Sequence, residues 1–482
     1  MAAIITEKFR THSAKQFIED FSAEEASSST YMFIGRSFPW TDDTAPDTPA
    51  NSVGEEMDAF SDMVAMKKVS SADVTHALTR RNWDSTGNTK YDEYDHTISA
   101  SNTSSASSSS NIYDSRFYVI TDEYNVYKCI RSGRDSNGAV VNSTVKPTGT
   151  SPTALVETND SGIQTGRGYL WKYMYTVSAA DTIKFTTTDF IPVKTIGAKA
   201  ALGGVSDDSS SQWQVENQAV DGAVHHIKVD NGGSGYTASA NIANVVIAGD
   251  GDGNGRCTVH TNGSGVITHV TVTTAGANYR RASIDVANIS GIGSGSGAVL
   301  TPIISPLYGH GANPIEELGG NFVMINSRLE FAEGAGDFPT DNDFRRIGLI
   351  QDPFSSGTTV ATGTNYAAYH KMTLSSVTGL SVDDTIMDSQ NNGSGVAVSK
   401  IVSISGNVVS HIPQANSAGL YVDFASSDTV YKGSSSIGTV SAVDSSFPEI
   451  VKYSGNIMYV ENRGAVTRAA DQIEDIKLII QM

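Results

Sequence analysis

VHHIKVDNGGSGY (residues 224–236) and ITHVTVTTAGANY (residues 267–279) are two copies of one pattern, offset by 43 residues. His226 matches His269, Val229 matches Val272, Gly233 matches Gly276 and Tyr236 matches Tyr279. Two later glycine runs, GDGDGNG (249–255) and GIGSGSG (291–297), correspond with a one-residue slip. Alternating apolar residues with glycine punctuation predict strands and tight turns, and the repeat predicts two tandem β units. Each copy has one apolar face and needs a partner sheet, so residues 201–305 are expected to form one small all-β domain.

A second stretch, 356–446, has the same Ser/Thr/Val/Gly character, with short alternating runs such as VAVSKIVSI and TVSAV. It predicts a second all-β insertion. The rest of the chain reads differently. Ser13 and Gln16 are spaced as a capping box, and Ala14, Phe17, Ile18 and Phe21 fall on one helical face. A second helix is predicted near 53–68 from Val53, Met57, Phe60 and Val64, with Lys67 and Lys68 suiting its C-terminal dipole. YMFIGRSFPW (31–40) predicts a buried strand entering a Pro-broken turn, and Ser99–Ser110, without apolar pattern, a mobile loop. FYVIT and VYKCI around DEYN predict a hairpin. GYLWKYMYTV (168–177), TTDFIPV (187–193) and the closing KLIIQ predict further strands, the last expected to pair within its own sheet rather than a partner's. The fold class is therefore α+β and β-rich: a mixed framework (1–200, 306–355, 447–482) interrupted by sandwich-like or barrel-like insertions at 201–305 and 356–446.

The formal net charge of -19 argues against nucleic acid, whose binding depends on neutralising phosphates, and against an anionic membrane surface. Two cysteines, Cys129 and Cys257, form no Cys-x-x-Cys pattern and suit a reducing compartment. The N-terminal apolar stretch is too short for a signal peptide, and no run is long enough to span a membrane.

TEKFRT, FIGRSFPW, RRNWD, DFRRIGLIQDPF, IMYVENR and ADQIEDIKLII, in that order, resemble the dimeric baseplate wedge protein of T-even-like contractile-tailed bacteriophages. The family has prolines after the Glu-Asn-Arg segment, where Gly464 and Ala465 stand here. The two β-rich insertions lie outside the resemblance. What the resemblance implies is a structural subunit: a homodimer that binds other wedge proteins, sits in the tail baseplate of the virion, and helps couple host contact to sheath contraction. It implies no substrate, no cofactor and no enzyme activity.

The residues themselves offer few chemical candidates. Asp250, Asp252 and Asn254 match the first half of a calcium loop, but position 12 is Thr261 rather than a bidentate Glu, and a plain glycine-rich turn explains the run. His226 and His269, at equivalent repeat positions, are placed to face each other; a structural role outweighs zinc. GSGSGA (293–298) lacks the helix and acid of a dinucleotide unit. Arg36, Trp40, Arg80, Arg81 and Trp83 combine the residue types enriched at interface hot spots, with core packing as the alternative. A rival function is a tail adhesin recognising host glycan or protein through the β insertions.

Overall fold

The computed structural model describes residues 3–21, 28–160, 163, 166–329, 342–468 and 473–482. The chain is β-rich, 39% strand and 12% helix among the described residues, as the composition predicts. It divides into two compact units. One comprises 1–15, 75–324 and 479–482; the other comprises 16–74 and 325–478.

In the first unit, a four-stranded antiparallel sheet runs in the order Tyr118–Ile120, Asn125–Arg131, Tyr169–Thr176, Val156–Thr158. The first two are the predicted hairpin. Aromatics fill both faces. Tyr127, Tyr169, Trp171 and Tyr173 pack with Tyr91 in one cluster, while Tyr118, Met174 and Tyr175 join Phe117 and Leu78 in another. Lys128 and Lys172 are directly opposed across neighbouring strands, and both are buried. Glu317 answers them. Its carboxylate meets Lys128 Nζ at 2.9 Å and accepts from the backbone N–H of Gly311 and Asn313.

The repeat region folds around a core including Ile227, Tyr236, Ile247, Cys257, Val259, Ile267 and Tyr279. Strand Val224–Ser234 pairs with Ser296–Ile304, and Ile267–Thr274 pairs with Arg256–Thr261, which also pairs with Asn241–Val246. The copies are not successive independent units, because Val224–Ser234 and Ile267–Thr274 each pair with a strand of the other copy. Gly233 and Gly276 adopt positive φ (60° and 63°), and each leaves room for the tyrosine ring three residues on, which a Cβ would strike. The closing residues add to a sheet of their own chain: Met482 N–H donates to Asn321 O, and Ile479 packs with Ala77 and Met324.

In the second unit, five antiparallel strands run in the order Asn365–Ala367, Met63–Lys68, Thr30–Gly35, Asn342–Gln351, Asn456–Arg468. The predicted second insertion contains a closed six-stranded barrel: His370–Leu374, Val408–Gln414, Val398–Ser405, Thr385–Met387, Thr429–Lys432, Ser435–Asp444. Closure removes free sheet edges. The barrel is filled by Met372, Ile386, Ile401, Val409, Phe424 and Val430.

Several local expectations are corrected. The first helix is Glu7–Glu19, so Ser13 lies inside it and its hydroxyl donates to Phe9 O, four residues back. Thr6, whose hydroxyl accepts from Phe9 N–H, occupies the N-terminal position instead. The second helix spans only Val53–Asp62; Met63–Lys68 turns into a strand. Pairing with Thr30–Gly35 on one side and Asn365–Ala367 on the other overrides the helical spacing that Val64 offers. Ser99–Ser110 has no helix or strand, yet it is not loose. The buried Asp92 carboxylate accepts from the backbone N–H of Ala106 and Ser107 and from the Ser107 hydroxyl. Residues 470–472 of the quoted ADQIEDIKLII lie outside the described residues.

Candidate interaction site

Three of the motifs lie on adjacent strands of the second unit. Register places Gly35 beside Arg346 and Arg346 beside Asn462. Side chains alternate along a strand, so the neighbouring Arg345 and Arg346 point opposite ways. Arg345 forms a bidentate pair with Asp43 (3.0 and 2.9 Å), meets Asp343 at 2.9 Å and donates to Ser37 O at 2.7 Å. Arg346 meets Asp62 at 3.0 Å and Glu55 at 2.7 Å and donates to Asn462 Oδ1 at 2.9 Å. The guanidinium's fork geometry permits this many-sided bonding. Burial pushes Asp62 up to about 7, against the pull of Arg346 and Arg36. The bond to Arg345 holds Asp43 below the usual carboxylate range.

Arg36 and Trp40 belong to this cluster. Arg36 has a left-handed backbone, φ 53°, which turns the chain out of its strand, and its N–H donates to Asp62 O. Its guanidinium stacks over the Trp40 ring at 3.6 Å and lies 4.5 Å from the Phe38 centroid. Trp40 Nε1–H donates to Arg463 O, and its backbone N–H donates to Asp43. Both side chains are half-buried.

Arg80, Arg81 and Trp83 belong to the first unit. Arg80 donates to Asn82 Oδ1 and Thr187 O, and Arg81 to the carbonyls of Tyr113, Ser115 and Asp114. Trp83 packs with the Tyr91–Trp171 cluster, its Nε1–H donating to Ser143 Oγ at 3.4 Å. All five predicted interface residues thus have partners within their own chain, and the structure places them in two groups. Sequence reading missed Arg345 and Arg346. The signal was present, since paired arginines inside an otherwise apolar strand are costly to bury without carboxylates.

The calcium candidates are engaged in turns. Asp250 Oδ1 accepts from the backbone N–H of Arg280 and Arg281, and Asp252 accepts from the backbone and side chain of Asn254. Among the described residues, no group of three His, Cys, Asp or Glu side chains converges as metal ligands would. His226 and His269 line one cavity, each with its own partners. His226 Nε2 lies 3.4 Å from Glu93, whereas His269 stacks on His260 at 4.1 Å and accepts from Arg167 Nε at 3.2 Å. Burial, with His260 and Arg167 adding to it, pulls His269 down to about 3. A neutral ring is also what acceptance from Arg167 requires.

The family described as Bacteriophage T4, Gp8 matches residues 3–201. The baseplate wedge protein gp8 of Enterobacteria phage T4 is 26% identical over 213 residues, covering 40% of this chain. The chain spans 60% of that relative's length. The family match bears out the resemblance carried by TEKFRT, FIGRSFPW and RRNWD, which all lie within 3–201. Over residues 3–201, this chain is similar to the family described as Bacteriophage T4, Gp8.

Proposed function

We propose that the protein is a structural subunit of a phage tail baseplate wedge, located in the virion tail, which self-associates as a homodimer and binds other wedge proteins. The observation that carries this reading is the Gp8 match over residues 3–201. The architecture supports it. Buried ion networks such as Arg345–Asp43 and Arg346–Asp62 hold strands and loops in fixed geometry, as a subunit transmitting force from host contact to a contracting sheath requires. Half-buried Arg36 and Trp40 retain surface for a partner, and arginine with tryptophan is a frequent hot-spot pair.

Light scattering on the purified protein, alone and with its wedge partners, tests the proposal. A dimer that gains mass on mixing supports it. A monomer indifferent to those partners overturns it.

A further inference from the structure

The second unit holds a pocket of about 510 Å³ where the 53–62 helix, one end of the barrel and the 451–453 turn come together. Pockets of 300–1,000 Å³ commonly hold small ligands. The rings of Tyr421 and Tyr453, 54% and 47% exposed, stand at its mouth, and Met57 and Pro413 add apolar surface. Exposed tyrosines of this kind offer a flat apolar face with a polar tip.

The polar lining is mixed and has bonding capacity to spare. Among the described residues, Asp58 has no ion-pair partner, and Asp423 has only His370 Nδ1 at 3.8 Å, beyond hydrogen-bond range. Lys452 Nζ donates to Ser61 O at 3.2 Å and has no carboxylate within ion-pair distance among the described residues. An ammonium has three donors, so two remain for a ligand. Burial pulls Lys452 down to about 8, against the pull of Asp62 and Asp423.

Tyr453 adds an independent observation. Its backbone is left-handed, φ 64°, a conformation unusual for a bulky residue and sustained only where the surroundings fix it. Its ring packs on Phe60 with centroids 5.9 Å apart, which fixes it beside the pocket.

This combination selects among ligand classes. An anionic ligand would meet Asp58 and Asp423, and a cationic one would meet Lys452. A neutral polyol suffers neither repulsion: its hydroxyls donate to the carboxylates and accept from the ammonium, and its C–H faces lie on the tyrosine rings. We propose that this pocket is a carbohydrate-binding site for a neutral hexose or N-acetylhexosamine unit of a glycan. The site would add surface recognition to the structural role and stands independently of the wedge assignment.

Ligand-observed saturation-transfer NMR on the full chain tests it. The probes are methyl glycosides of neutral hexoses and N-acetylhexosamines, with sialic acid as the charged control. The expected result is saturable binding of at least one neutral sugar, weakened about tenfold or more in Tyr421→Ala and in Asp423→Asn. Both altered side chains are largely exposed, and a thermal melt confirms folding of each variant. Failure of every neutral sugar to bind would overturn the proposal. So would preference for sialic acid, or binding unchanged in both variants.

Discussion

The backbone N–H of Tyr279 donates to the carbonyl of Gly222 at 3.2 Å. The relation recurs 43 residues along the chain with the roles of the copies exchanged: Tyr236 N–H donates to Gly265 O at 3.0 Å. Two residues before each copy therefore stands a glycine that receives the other copy's tyrosine. The Tyr279 hydroxyl continues to Ile247 O at 2.9 Å, and the Tyr236 hydroxyl accepts from Ala298 N–H at 3.2 Å. The repeat is a reciprocal clasp, so neither copy has a complete core without the other.

Gly222→Ala and Gly265→Ala are therefore expected to cost similar stability. Both glycines have positive φ (63° and 69°), and a Cβ on either would stand under 3 Å from the opposing tyrosine's backbone. Left-handed strain alone costs about 1–2 kcal/mol, and the collision adds to it. Gly253→Ala is the control, with φ 74° but open space around it. Urea unfolding should rank both clasp variants well below the control, and equal midpoints would refute the clasp.

Arg346→Met should be among the most damaging single changes in the second unit. It leaves Asp62 buried without its cation, a class of loss worth about 3–5 kcal/mol. The deficit should shrink as pH falls. Asp62 already has a pKa of about 7, and protonation removes the unpaired charge. Unfolding curves at pH 6 and pH 8 measure both effects; a deficit independent of pH would exclude Asp62 as the cause.

Glu317→Gln tests the first unit in the same way. The variant keeps the shape but leaves Lys128 and Lys172, opposed across two strands, without a carboxylate. A loss of about 3–5 kcal/mol is expected for removing one partner of a buried pair. A change below 1 kcal/mol, roughly that of a surface pair, would show that Lys128 reaches solvent.

Lys172 provides a pH signature. Burial pulls it from 10.5 to about 8. Between these values the unfolded chain binds the proton more tightly than the folded one, so Lys172 makes stability rise with pH from about 8 to 10.5. Below 8 both states are protonated and the cost of burying the charge is fully present. Lys172→Met should flatten that rise and leave stability at pH 7 unchanged or higher. A rise that persists in the variant would assign it to another group.

Much of this protein was legible in the sequence because the deciding signals are local. Period-two alternation marked the strands, the Gly-x-x-Tyr repeat marked the paired β strands between 224 and 304, and the N-terminal motifs carried the family resemblance. Helix limits were less secure. Thr6 and Ser13 are both competent caps, and only the hydrogen bonds made by the folded backbone distinguish them. Met63–Lys68 keeps helical spacing, but two flanking strands claim its backbone donors and acceptors. Tertiary structure alone decided what the charges do. Arg346 meets Asp62 across 284 residues of sequence, and Lys128 meets Glu317 across 189, separations that no local pattern encodes. The pocket beside Tyr453 has the same origin. Its lining comes from a helix, a barrel and a turn far apart along the chain, so its chemistry exists only once strand pairing has closed those distances.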